Sequence, residues 1–189
     1  MHVYYNTSSI ILACCMYVYL IRGLRTGDTE QNLATWSSYA LLDIVAGISL
    51  YVQGGNWYLL LVYIIGSTLV SCYNFGSAQF KIGKTEIVCF ILVVVSIIMW
   101  YRSGPWYATI ISVVGVLIAT YPQIEDTIMM PVRPPIEVYL GFGVVNLLNT
   151  LGGKAWTVEE RLYPAACVGM NLVLIGCCLW NFYKRPRGA

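Results

Sequence analysis

Seven runs of apolar residues divide the chain, at about 8–23, 36–53, 57–75, 87–101, 105–122, 135–151 and 162–183. Each is close to the roughly 17–25 residues that an α-helix needs to cross the hydrocarbon of a bilayer. Inside them, polar and aromatic residues recur at intervals of three or four, which gathers them on single helix faces. Trp36, Tyr39 and Asp43 form one such set, and Tyr63, Ser67 and Ser71 another. Other stretches, such as VCFILVVVSIIMW, are continuously apolar. A membrane β-barrel would instead alternate in segments of about ten residues. The expected fold is therefore all-α, with seven transmembrane helices.

Composition and charge sharpen this picture. A chain that is 58% hydrophobic and 11% charged, with a mean hydropathy of +0.68, does not suit a soluble domain. The first run starts close to Met1 without a basic segment or a small-residue cleavage site, so it reads as a retained helix. Seven spans put Arg22, Arg25, Lys81, Lys84, Arg133, Lys184, Arg185 and Arg187 on one side, and only Arg102, Lys154 and Arg161 on the other. Lys and Arg favour the cytosol, so the N-terminus is expected outside and the C-terminus in the cytosol. No loop has the dense basic run that nucleic-acid binding needs. The seven cysteines contain no C-x-x-C and read as small buried thiols, not as metal or redox ligands.

The second half repeats features of the first. At an offset of 103 residues, Trp36, Tyr39, Ala40 and Asp43 fall on Tyr139, Phe142, Gly143 and Asn146; at an offset of 100, Tyr63, Ser67 and Ser71 fall on Tyr163, Cys167 and Asn171. The fourth run, whose only polar interior residue is Ser96, has no counterpart and reads as a lipid-facing connector. The expected organisation is a three-helix repeat over 1–85, a connector over 86–103 and a second repeat over 104–189. A single linking span gives the two triplets the same orientation, a 3+1+3 arrangement of parallel repeats.

With YPQI closing the fifth run, this architecture resembles the PQ-loop superfamily, which includes the SWEET-like sugar transporters. TWSSYALLD, from Thr35 to Asp43, also resembles the start of the second helix in small uncharacterised bacterial members. The resemblance implies a multi-pass protein of the bacterial inner membrane that moves a small solute between its two triplets, with Pro122 and Gln123 as a hinge. It also implies solute-binding asparagines on the third helix of each triplet, for which Asn171 and Asn74 are the nearest residues. One departure stands out: every proline lies at 105 or later, so the first triplet has no matching breaker.

The polar residues nominate a site independently. Asp43 is the only acidic residue deep inside an apolar run, Glu137 standing at the very start of its own. A carboxylate at that depth costs about 2.5–3.5 kcal/mol to insert, so it must pair, protonate or face water. It is either a solute ligand or a protonated packing residue. Trp36 and Tyr39 share its face. Asn146 takes the equivalent place, with Asn149 and Thr150 beyond it, either as a polar site or as interhelical glue worth roughly 0.6 kcal/mol per bond. Tyr63 shares a face with Ser67 and is the remaining candidate, whereas Trp57, Tyr58, Trp100, Tyr101, Trp106, Tyr107 and Trp180 sit at run ends like an aromatic belt.

An enzyme is not expected. His2 is the lone histidine, Glu159 and Glu160 adjoin in a loop, and neither a nucleophile–base set, a metal cluster nor a phosphate loop is evident. No cofactor is expected. The expected partners are membrane lipid and a small polar solute, but not nucleic acid, and a homo-oligomer stays open. A non-transporting receptor or assembly partner is the alternative to a transporter.

Overall fold

The computed structural model describes residues 2–29, 31–75, 84–129 and 135–184. Regular structure among them is helical throughout: α1 (His2–Thr26), α2 (Leu33–Val52), α3 (Tyr58–Phe75), α4 (Lys84–Ser103), α5 (Pro105–Ala119), α6 (Tyr121–Met129), α7 (Ile136–Leu151) and α8 (Val158–Lys184). Five helical stretches among the described residues are long and apolar enough to cross a membrane, with α5 and α6 counting together as Pro105–Met129. Phe90–Ser103 in α4 and Ile136–Leu151 in α7 are shorter apolar helices. At 1.5 Å per residue, the 16 residues of α7 reach about 24 Å, less than the roughly 30 Å of hydrocarbon.

Local chemistry sets the helix boundaries. Asn32 caps α2 from an extended backbone, and its side chain accepts the Thr35 N–H at 3.0 Å, satisfying one of the donors a helix start leaves open. Pro105 opens α5, where its missing N–H has no helical partner to lose. Two sequence expectations change. The first helix begins at His2, several residues before the apolar run. The fifth run does not end at Pro122: α5 stops at Ala119, Thr120 makes a turn, and α6 resumes at Tyr121. Pro122 cannot donate to the carbonyl of Ile118, which breaks the ladder, but proline is well tolerated in the first turn of the new helix. Lys81, Arg133, Arg185 and Arg187, which entered the charge comparison, lie outside the described residues.

α3 packs against both α1 and α2, and α8 packs against both α5 and α7. These groups meet through two long contacts, α1 with α7 and α2 with α5, while α4 lies on α5 and α2. Close approach depends on small residues at the crossings. A Cβ on Gly66 of α3 would collide with the Tyr17 ring of α1, and one on Gly115 of α5 would come within 2.7 Å of Leu42 Cδ2 on α2. α4 buries Val93 and Ser96, three residues apart on one face, and exposes Phe90, Ile91, Val94, Ile97 and Ile98. So large an apolar face suits lipid rather than water.

Candidate functional site

Between α2, α3, α7 and α8 lies a cavity of about 60 Å³. Six of the eight solute-site residues nominated from sequence line it: Trp36, Tyr39 and Asp43 from α2, Tyr63 from α3, Asn146 from α7 and Asn171 from α8. Spacing of three or four along α2 brings its three members to one face, from which Trp36 reaches Phe142 of α7 and Asp43 reaches Tyr163 of α8.

Two tyrosine hydroxyls cross between the groups. Tyr163 of α8 donates to Asp43 Oδ1 on α2. Tyr63 of α3 donates to Asn146 Oδ1 on α7 at 2.9 Å. These are matching bonds under the sequence offsets, since Tyr63 aligns with Tyr163 and Asp43 with Asn146. Asn146 Nδ2 donates to the Phe142 carbonyl at 2.8 Å, and Asn171 Nδ2 to the Cys167 carbonyl at 2.7 Å. Each amide therefore has one N–H tied to its own helix and presents Oδ1 as an acceptor. Asp43 is only 4% exposed, and the Ser67 hydroxyl donates to the Tyr63 carbonyl of its own helix. Among the described residues, no lysine, arginine or histidine lines the cavity.

Aromatic side chains form much of the wall. Tyr17 meets Phe142 at 5.0 Å between ring centroids, Trp36 at 6.1 Å and Tyr63 at 6.2 Å. Trp36 meets Tyr39 at 5.7 Å. All four pairs are edge-to-face, the arrangement that the ring quadrupole favours. Tyr39 is fixed by its hydroxyl, 2.7 Å from Thr120 Oγ1 in the turn between α5 and α6.

The two ends of the bundle are held differently. At the α1–α2 loop, Gln123 of α6 is 2% exposed and lines the cavity. Its Nε2 donates to the Tyr139 hydroxyl at 3.0 Å, and its Oε1 accepts the Asn32 N–H at 3.4 Å. Asn32 Nδ2 donates to Asp126 at 2.8 Å, and Trp36 Nε1 to Gln31 at 2.9 Å. Of the nominated hinge pair, Gln123 is thus a buried cross-link in the cavity wall. Pro122 is half-buried beside it, outside the lining. At the α2–α3 loop, Lys154 donates to the Gly54 carbonyl at 3.1 Å, and Asn56 to Asn149 at 3.5 Å.

Two nominated residues lie away from the cavity. Asn149 is three residues beyond Asn146 on α7, close to 5 Å further along the axis at 1.5 Å per residue, and it faces Asn56. Asn74 is buried near the end of α3 and is not among the lining residues. Tyr17, Gln31, Tyr139 and Tyr163 are lining residues that the sequence choice passed over. Tyr139 and Tyr163 were already marked as repeat partners of Trp36 and Tyr63, a usable signal. Tyr17 stands in a run without polar neighbours on its face, and Gln31 precedes a helix, so neither carried one.

Comparison with protein-family models, with curated proteins and with solved structures finds no match to this chain. Among the described residues, no group of three His, Cys, Asp or Glu side chains is placed to hold a metal ion. The site's own chemistry is one carboxylate, four side-chain amides, a thiol, phenolic hydroxyls and aromatic faces.

Proposed function

We propose that the chain is a small-solute transporter or facilitator of the PQ-loop, SWEET-like type, binding a small polar solute between two triple-helix units. The observation that carries it is the exchange of tyrosine hydroxyls. Tyr63 of the first unit bonds Asn146 of the second, and Tyr163 of the second bonds Asp43 of the first. A pair of reciprocal bonds between offset-matched residues is what two equivalent units facing one another across a shared site would make. The packing of α3 on α1 and α2, matched by that of α8 on α5 and α7, supports the same 3+1+3 organisation with α4 as connector. In this organisation α7 and α4 cross the bilayer as well, giving seven spans. The Lys and Arg distribution sets the N-terminus outside and the C-terminus in the cytosol, and the resemblance to small bacterial members assigns the bacterial inner membrane.

The mechanism follows from the two ends. Solute enters the cavity and meets Asp43, Asn146 and Asn171. Passage to the far side requires the polar ties at one end to open while those at the other hold. Relative motion of the triplets would be absorbed at Thr120–Pro122, where the helix ladder is already interrupted. Neither catalysis nor a cofactor has a part in it, and the apolar α4 face leaves room for lipid or a second copy of the chain.

Uptake into proteoliposomes tests the assignment. Asp43→Asn and Asn146→Ala should each slow uptake of the transported solute; unchanged uptake in both would locate the solute elsewhere. A second reading, a non-transporting receptor or assembly partner, draws on α1, which runs unbroken from His2 to Thr26. A first unit without an interruption can capture a ligand without rocking.

A further inference from the structure

We infer that the solute of this cavity is a small organic ammonium ion. The inference rests on the binding site proposed above, not on transport itself. Three features of the lining lead to it.

The first is charge. Asp43 is a carboxylate buried where none of the described lining residues is cationic. A buried carboxylate needs a compensating partner. The Tyr163 hydroxyl that reaches it supplies a hydrogen bond but no charge. An anionic solute would be repelled, and beside a neutral one the buried carboxyl would have to take up a proton. A cation supplies what the site lacks.

The second is the wall. Tyr17, Trp36, Tyr39, Tyr63 and Phe142 surround the same space. Aromatic rings offer negative faces to cations, and alkylated ammonium groups are the ligands that aromatic cages bind best. The close edge-to-face contacts hold these rings in place before any ligand arrives. Asn171 Oδ1 and Asn146 Oδ1 add acceptors for an ammonium N–H, while one N–H of each amide is already committed to a backbone carbonyl.

The third is size. The cavity is small, about 60 Å³, and favours a compact solute such as trimethylammonium.

Titration of the purified full-length protein in lipid nanodiscs tests the inference, using trimethylammonium chloride, its neutral isostere tert-butanol, and glucose. Calorimetry gives affinity, and the part of the tryptophan fluorescence change that Trp36→Leu removes gives a second signal from the wall. Trimethylammonium should bind about tenfold or more tightly than tert-butanol, the range expected of a desolvated cation–π and carboxylate contact. Asp43→Asn, which keeps the acceptor for Tyr163, should weaken trimethylammonium by about tenfold and leave tert-butanol unchanged. Trp36→Leu should weaken it independently, which covers the case in which Asp43→Asn does not fold. Equal affinity for cation and isostere, tighter binding of glucose, or no binding of trimethylammonium would each overturn the inference. Ammonium binding without uptake in proteoliposomes would instead remove transport and leave the site's cation selectivity standing. Uptake of a neutral solute without ammonium binding would do the reverse.

Discussion

Removing the two crossing hydroxyls one at a time, by Tyr63→Phe and Tyr163→Phe, should cost unequal amounts of stability. Both tyrosines are buried, at 6% and 4% exposure, so phenylalanine keeps the packing and removes only the hydrogen bond. The Tyr63–Asn146 bond joins neutral groups at 2.9 Å. Such interhelical bonds in lipid average about 0.6 kcal/mol and rarely exceed about 1.7. The Tyr163 bond ends on a carboxylate, and bonds to charged groups are worth about 1.5–3 kcal/mol. Tyr163→Phe should therefore destabilise by roughly 1 kcal/mol more than Tyr63→Phe, about a fivefold difference in the folded-to-unfolded ratio. Reversible unfolding in mixed micelles measures it, and a double-mutant cycle isolates the cause. In an Asp43→Asn background the partner is neutral, so Tyr163→Phe should fall to the cost of its counterpart. If Tyr163→Phe costs the same with Asp43 or Asn at position 43, the hydroxyl does not lean on a charged carboxylate and the charge argument for the site fails.

Further predictions follow from packing and from the helix break. Gly66→Ala forces a methyl group into the Tyr17 ring and should cost about 1–3 kcal/mol in the same unfolding assay; combining it with Tyr17→Leu should recover part of the loss. Gln123→Leu strands the Asn32 N–H and leaves the Tyr139 hydroxyl with Thr127 alone, for about 1–3 kcal/mol of stability, whereas a side chain acting only as a flexible hinge would tolerate the change. Pro122→Ala restores a backbone donor at the α5–α6 break and should slow uptake in proteoliposomes while leaving the unfolding midpoint equal or higher.

The apolar runs located the helices well because lipid-length hydrophobicity is a local property, readable residue by residue. Ends were less legible. The α1 start at His2 depends on how the chain leaves the bundle, and the resumption of helix after Pro122 depends on proline's tolerance of a first turn, which a breaker rule hides. The three-and-four spacing of Trp36, Tyr39 and Asp43 carried the face that lines the cavity, since one helix fixes all three. Depth along a helix was harder to read. Asn149 shares a face with Asn146 but stands nearly a turn beyond it and meets Asn56 instead. Gln123 was noticed for its proline neighbour, yet its role comes from Tyr139 and Asn32, contacts 16 and 91 positions away that no local pattern encodes.

Access to the cavity tests the central claim most directly. With the native cysteines replaced, Asn146→Cys and Asn171→Cys, made singly so that Asp43 is kept, can be exposed to a membrane-impermeant thiol reagent from either face of oriented vesicles. A solute transporter that exposes this cavity alternately to the two sides predicts labelling from both faces, slowed in each case by a bound solute. Labelling from one face alone would contradict it and favour the receptor.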